Sequence, residues 1–298
     1  MEGVVLCKLP KAGLGNQLFP LMKAYTFAHL NNLPVIVTNY NRVKIGPYLR
    51  REKKKRNYAH FFTFQKNILG AQVDKWKLKK YKDDQQVIEP VIKVIDKKEA
   101  TDTIYAFSAM PHWDNYFDGL KENRDIVIRL FSEVINPRIK KKVTELPQPC
   151  IAVHIRMGDF RKLKQDEDFS KVGAVRTPEN YFIETINSIR KIHGTDLPVS
   201  VFTDGYPNEF KNLFTLKNIS MVEGDNDLAD LLLLSKSKII ITSAGSTFGY
   251  WAGFLSNASV ILHPAHATTV IRGSDGNNLY EGSFDAANPV LVESIRGL

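Results

Sequence analysis

The chain has 298 residues, 43% of them apolar and 24% charged, with a formal net charge of +9. That length can bury a substantial core in one large or two medium domains. No run of about 18 apolar residues occurs, which excludes a transmembrane helix from the reading. Met1-Glu2-Gly3 leads straight into a strand, not into a charged and then apolar leader, so the expectation is a cytoplasmic protein. Cys7 and Cys150 fall in expected core strands and read as reduced thiols; with seven scattered histidines they offer no metal-ligand spacing.

Val4-Val5-Leu6-Cys7-Lys8-Leu9 opens the chain as a short apolar strand. Gly13-Leu14-Gly15-Asn16-Gln17 follows, then an apolar helical pattern through Leu18, Phe19, Leu21, Met22, Tyr25, Ala28 and Leu30, and a second strand over 34–38. The glycines stand at the strand-to-helix turn, where backbone N–H groups can approach a ligand without interference from a Cβ. Their spacing is neither the dinucleotide fingerprint nor a P-loop, and a purely structural tight turn is the alternative. Residues from about 40 to 100 are irregular and basic, with charge runs at 50–56 and 75–82. Solvated surface is the simplest reading, and peripheral contact with an anionic membrane is the next. The lysines of 75–82 interleave with aromatics, yet no nucleic-acid module surrounds them. A strand over 103–107 and a helix over 116–134 follow. Asn136-Pro137, the basic 138–142 segment, Pro147 and Pro149 read as a joint between domains 1–145 and 146–298.

The second half is more regular and holds the most informative stretch, Cys150-Ile151-Ala152-Val153-His154-Ile155-Arg156-Met157-Gly158-Asp159. Its alternation reads as a strand of period two, with Ile151, Val153 and Ile155 on one face and Ala152, His154 and Arg156 on the other. His154 and Arg156 are then neighbours at the strand's C-terminal edge, about 7 Å apart at Cα, and Gly158-Asp159 turn the chain. A guanidinium fork beside an imidazole at such an edge suits an anionic oxygen, phosphate above all. A surface ion pair with a locally bonded histidine is the plainer alternative.

A helix opened by Thr177-Pro178 runs to about His193 before Gly194, followed by strand 199–203, a helix from about Pro207 and a short strand 219–223. Asp225 or Asn226 caps a helix over 227–237. Strand 238–243 leads into Ser243-Ala244-Gly245-Ser246-Thr247-Phe248-Gly249-Tyr250-Trp251. There Ser246 or Thr247 is the natural N-cap, and the helix start can seat a phosphate or simply be capped. Val260-Ile261-Leu262 is the last strand. Alternating strands and helices of these lengths predict the α/β class with parallel, doubly wound sheets.

Taken together, GLGNQLF near the start, HIRxGD in mid-chain and the late S-x-x-S-T-F-x-x-W resemble the α1,2-fucosyltransferase family, and more distantly the α1,6- and protein O-fucosyltransferases. Pro111-His112-Trp113-Asp114-Asn115-Tyr116-Phe117 and Val201-Phe202-Thr203-Asp204 add weaker likenesses. The chain departs from the pattern at Met157, where members commonly carry a second Arg, and at Asp204-Gly205, where they show Asp-Asp. It also has Tyr250-Trp251 for paired Trp, and Ala244-Gly245 where an Asn precedes the late Ser. The resemblance implies two Rossmann-like domains facing across a cleft (GT-B), the first on the acceptor side and the second binding a nucleotide sugar. It implies inverting, metal-independent transfer of a deoxysugar, foremost L-fucose from GDP-fucose, to a glycan hydroxyl.

On that resemblance Arg156 and the amides at Ser246-Thr247 face the charge that develops on the β-phosphate, each well-placed donor contributing ~3–4 kcal/mol. His154 orients the diphosphate or sugar, and Gly13, Leu14, Gly15 and Asn16 close over the sugar-phosphate. Asp230, sixteen positions before Ser246, corresponds to an Asp of the protein O-fucosyltransferases that accepts the guanine N1 and N2 hydrogens. An ordinary first-turn helix acid is the alternative there. Asp225-Asn226-Asp227 looks like a DxD metal motif but falls where capping residues are expected, so no metal is assigned. Asp159, Asp114 and His112 are candidates for the base. Two rival readings stand beside this one. The scaffold could use another nucleotide deoxysugar such as GDP-rhamnose, or be a non-catalytic basic glycan- or nucleic-acid-binding protein on a decayed transferase scaffold. Retention of His154, Arg156, Asn16 and Ser246-Thr247 argues against decay, and no nucleic-acid partner is expected.

Overall fold

A computed structural model of the chain describes residues 3–40, 45–49, 55–64, 86–96, 98–266, 270–273 and 279–298. The basic run 75–82 lies outside the described residues, as do residues 50–54 of the first run. The chain forms two compact units that interleave in sequence. The first takes Met1–Lys44, Asn57–Ile139 and Arg272–Asp275, the second Ile45–Arg56, Lys140–Ile271 and Gly276–Leu298.

In the first unit the strands are β1 (Val4–Lys8), β2 (Val35–Thr38), β3 (Gln86–Ile88) and β4 (Ile104–Phe107), all parallel and ordered β2-β1-β4-β3. Val4 through Cys7 are buried on both faces of β1, the continuous apolar run that a covered parallel strand requires. Helix α1 (Leu14–Asn31) buries Leu18, Phe19, Leu21, Met22 and Phe27, and ends at Asn32 in the left-handed conformation (φ +52°), whose amide returns to the carbonyls of Ala28 and His29. The helix expected over 116–134 is shorter: only α2 (Arg124–Val134) forms, after two 3₁₀ turns. Gly119 at φ +78° breaks the run, because a continuing α-helix needs negative φ. The segment read as a joint is itself helical, α3 (Pro137–Thr144), with Lys140, Lys141 and Lys142 outside its one buried residue, Val143.

The second unit is built on six parallel strands, β5 (Ile151–Ile155), β6 (Val199–Thr203), β7 (Ile219–Met221), β8 (Ile239–Thr242), β9 (Ser259–Ile261) and β10 (Glu281–Gly282). Their order is β10-β9-β8-β5-β6-β7. The helices are α4 (Glu179–His193), α5 (Asp227–Ser235), α6 (Thr247–Leu255) and α7 (Pro289–Arg296). The period-two reading of β5 is realised: Ile151, Val153 and Ile155 join Phe182, Ile186 and Ile189 of α4 and Leu291 and Ile295 of α7 in one core. Each such side chain, fully buried, contributes about 1.5–3 kcal/mol. Gly194 closes α4 in the left-handed conformation at φ +89°. The helix expected from Pro207 does not form. Two 3₁₀ turns, Pro207–Glu209 and Leu213–Thr215, instead carry Phe210 and Leu213 into the core. The edge strands β3 and β10 are too short to show a period in sequence. Among the described residues no helix is long and apolar enough to cross a membrane.

Candidate functional site

Because all six strands of the second unit are parallel, their C-terminal ends lie on one edge. The order reverses between β5 and β8: β6 and β7 continue to one side of β5, and β9 and β10 to the other side of β8. Loops diverge at such a switch point and leave a crevice, where ligands of open α/β sheets bind. His154 on β5 lies in register with Thr242 on β8, so the two late sequence motifs meet at this position.

His154 does not project from the edge as expected. It is 5% exposed, its ring stacks on Phe248 of α6 (centroids 4.9 Å apart, planes 26° apart), and a Cβ at Gly249 would come within 3.1 Å of its Nδ1. Gly249 thus lets α6 close onto the imidazole. Burial, with a smaller push from the Arg156 charge, outweighs the pull of Asp204 and lowers its pKa to about 3. The ring is therefore neutral at physiological pH. Its Nδ1 is buried and has no hydrogen-bond partner among the described residues. His154 is accordingly a hydrogen-bonding group and not a second positive charge.

Arg156 follows the last residue of β5. Its amide donates to Ser243 Oγ (2.9 Å), and its guanidinium is held by two carboxylates, Nη1 by Asp204 and Nη2 by Asp159 Oδ1 (2.6 Å), with the Phe160 ring 5.7 Å from Cζ. Asp204 stands at the end of the neighbouring strand β6 and also accepts from the amides of Met157 (2.7 Å) and Gly158 (3.2 Å). A side chain at Gly158 would run into that carboxylate, which accounts for the glycine of the motif. Asp159 is 43% exposed and also meets Arg56 Nη1 at 3.3 Å. Burial raises its pKa, but the Arg156 and Arg56 guanidiniums prevail and hold it at about 2. Such a carboxylate stays ionised and is a poor proton acceptor, which weakens its candidacy as the base.

Beyond β8, Gly245 adopts φ +67° with open space around its Cα, and its amide donates to Tyr250 OH (2.8 Å). Ala244 donates to Thr177 Oγ1 (2.9 Å). Ser246 occupies the N-cap of α6, 4% exposed, but its side chain makes no capping hydrogen bond, and no acidic residue lies in the first turn. The positive end of the helix dipole is thus not offset by its own cap or first turn, whereas α5 and α7 are capped by Asn226 and Asn288.

Asp230 lies in the first turn of α5, 7% exposed, with its carboxylate packed on the Cα of Gly224, where any side chain would collide with it. Asn226 caps this helix through Ala229 N (2.9 Å), and Asp225 pairs with Lys142. The Asp225-Asn226-Asp227 segment is therefore a helix start. Among the described residues no group of three or more His, Cys, Asp or Glu side chains is arranged to hold a metal.

The Gly13–Gln17 turn belongs to the first unit. Gly13 is the N-cap of α1 in ordinary extended conformation (φ −63°), and Leu14, Gly15 and Asn16 are already helical. The Leu14 side chain is core, 2% exposed, and its amide donates to Tyr58 OH (3.0 Å). Gln17 closes the loop by donating to Pro10 O (2.9 Å). His112 and Asp114 also lie in the first unit, exposed and 3.1 Å apart. Asp204 and Arg56 are the residues that sequence reading left out of the site. A strand-end Asp one strand from an Arg could have been found once β5 and β6 were taken as neighbours; Arg56 was hidden in a basic run.

The model of the family described as glycosyl transferase family 11 matches residues 74–269. The chain belongs to this family. It is therefore a glycosyltransferase, in agreement with the resemblance read from its motifs. Fucosyltransferase NodZ from Bradyrhizobium is 15% identical, with a TM-score of 0.53, over 89% of this chain and 97% of its own. The NodZ α-1,6-fucosyltransferase structure soaked with GDP-fucose is 15% identical, with a TM-score of 0.51, over 86% and 94%. POFUT1 in complex with GDP is 13% identical, with a TM-score of 0.52, over 88% and 98%. At these identities the likeness shows the fold, the GT-B type with a Rossmann-like sheet in each unit. No curated protein sequence matches the family 11 chain significantly.

Proposed function

We propose that this family 11 enzyme transfers a deoxysugar, foremost L-fucose, from its GDP-linked form to a glycan hydroxyl, with inversion and without a metal. The reading rests on one observation above others. Arg156 and the Ser243–Thr247 segment, with its side-chain-uncapped helix start, meet at the switch point of the second unit's sheet, beside a buried neutral His154. As the glycosidic C–O bond breaks, charge builds on the β-phosphate. Asp204 fixes one side of the Arg156 fork, so the guanidinium need not reorganise as that charge develops. The helix start adds amide donors and the favourable end of a dipole. Guanidiniums and amides then do the work a metal does in other transferases.

Guanine is the base of this reading because it offers two adjacent donors, which suit a carboxylate such as Asp230. GDP and GDP-fucose in the solved relatives POFUT1 and NodZ favour the same choice. His154 contributes a neutral hydrogen-bonding edge. The test is a donor panel of GDP-, UDP- and dTDP-deoxysugars with glycan acceptors, scored by nucleoside diphosphate release in excess EDTA. Release of GDP from GDP-fucose supports the reading. GDP-rhamnose as the better donor would change the sugar, a UDP or dTDP donor would overturn the base assignment, and loss of turnover restored by Mn²⁺ or Mg²⁺ would overturn metal independence.

A further inference from the structure

Arg56 lies more than ninety positions before the HIRMGD motif, in a stretch that sequence alone reads as solvated charge. In the structure it belongs to the second unit, and its side chain is only 9% exposed. A Cβ at Gly158 would sit 3.0 Å from Arg56 Nη2, so the guanidinium packs on the turn that follows Arg156. Its backbone is left-handed, φ +56°, a conformation that a long side chain rarely adopts and that tends to persist where surroundings demand it.

The local charges show what this arrangement supplies. Arg156 faces two carboxylates, Asp204 and Asp159. Counted among the described residues, the cluster without Arg56 is one guanidinium against two carboxylates, a net negative place that would repel a diphosphate. With Arg56 it is balanced, two against two. Of the two carboxylates, Asp204 is anchored by backbone amides, whereas Asp159 is the more exposed (43% against 12%) and has one oxygen on each arginine. Met157, where the resembled family commonly carries a second Arg, is committed to the core at 6% exposure. The second guanidinium of this edge therefore comes from a distant part of the chain.

We propose that Arg56 is a second diphosphate-binding residue, and that Asp159, clamped between Arg56 and Arg156, occupies the place the donor's diphosphate takes over. On binding, phosphate oxygens replace the Asp159 carboxylate between the two forks, and the carboxylate turns to solvent. This rests on the donor reading above.

Calorimetric titration of GDP and of inorganic diphosphate into wild type, Arg56→Gln and Asp159→Asn tests it. Arg56→Gln should weaken both ligands alike, by ~10-fold or more, through loss of a charge-assisted contact. Asp159→Asn should tighten both by ~3–10-fold, since it removes a competing charge; a misfolded variant cannot bind more tightly, so the pair stays interpretable. If wild type binds both ligands and Arg56→Gln binds diphosphate equally well, Arg56 has no such role. If Asp159→Asn weakens both, Asp159 is not a stand-in for the ligand. If wild type binds neither, the donor reading itself fails and this inference fails with it.

Discussion

Two of the strand-turn-helix junctions, those at the glycine turns singled out in the sequence, are built differently. At Gly13–Gln17 the glycine is in an extended conformation, the first helical amide is taken by Tyr58 OH, and Gln17 ties the loop to Pro10. At Ser243–Gly249 the glycine is left-handed, the N-cap serine makes no side-chain cap, and the helix is pressed onto a histidine whose Nδ1 has no hydrogen-bond partner among the described residues. The first junction satisfies itself. At the second the amides of Ala244, Gly245 and Ser246 are also taken, by Thr177 Oγ1, Tyr250 OH and Ser243 O, and what is left over is the imidazole Nδ1 at the end of a sheet, beside an arginine already oriented by Asp204. A glycine-rich turn is therefore not in itself a ligand site; what distinguishes the two is where the polar groups of the turn are spent.

The sharpest way to break this contrast is at Arg156. Arg156→Lys keeps the charge but loses the fork that Asp204 and Asp159 orient, and turnover should fall by at least ~10²-fold with circular dichroism unchanged. Turnover within a few-fold of wild type would take the catalytic role from the second junction.

Asp230→Asn comes next. On the proposed donor reading it places a donor against the guanine hydrogens and should cost ~2–3 kcal/mol of GDP affinity. Inorganic diphosphate, which carries no base, should bind as before. Equal GDP affinity in variant and wild type would reduce Asp230 to a helix-start residue packed on Gly224.

A smaller effect is expected at the first junction. A Cβ at Gly13 meets nothing within 4 Å, and serine is the better N-cap, so Gly13→Ser should leave the thermal midpoint unchanged or slightly raised. If Gly13 takes part in donor binding, as the resemblance implies, turnover should nonetheless drop by ~10-fold through misplacement of the donor. Full activity would confine Gly13 to a structural role.

The weakest signal is in pH. His154 is held at about 3 by burial, and His263 at about 4 by burial and the charge of His266. Both folded values lie below the ordinary histidine value, so the stability they contribute is complete above about 6.5 and is lost as the pH falls through the folded values. The thermal midpoint should decline from pH 6.5 to 4, and His154→Gln should flatten that decline in part. An unaltered slope would mean that His154 does not resist protonation in the folded state.

Much of this architecture was legible in the sequence because the signals were local. The alternation of 150–156, the Thr177-Pro178 start and the Gly194 stop each depend on a few adjacent residues. The segment after Pro207 misled because Phe210 and Leu213 have helix-like spacing, yet reach the core from 3₁₀ turns. The Arg156–Asp204 pair was not legible, since it exists only once β5 and β6 are neighbours in a parallel sheet. Arg56 was further from reach, because nothing in a run of like charges marks the one that turns inward. The buried state of His154 depends on Gly249, almost a hundred residues away, and so its neutrality could not be read from the motif.

The central claim is that the second unit's switch point binds the diphosphate of a guanine nucleotide sugar, and the most direct measurement is a crystal structure with GDP. The account predicts phosphate oxygens on Arg156 and on the amides at Ser246-Thr247, with the guanine N1 and N2 edge on Asp230. GDP seated away from Arg156, or with its base turned from Asp230 to solvent, would contradict it.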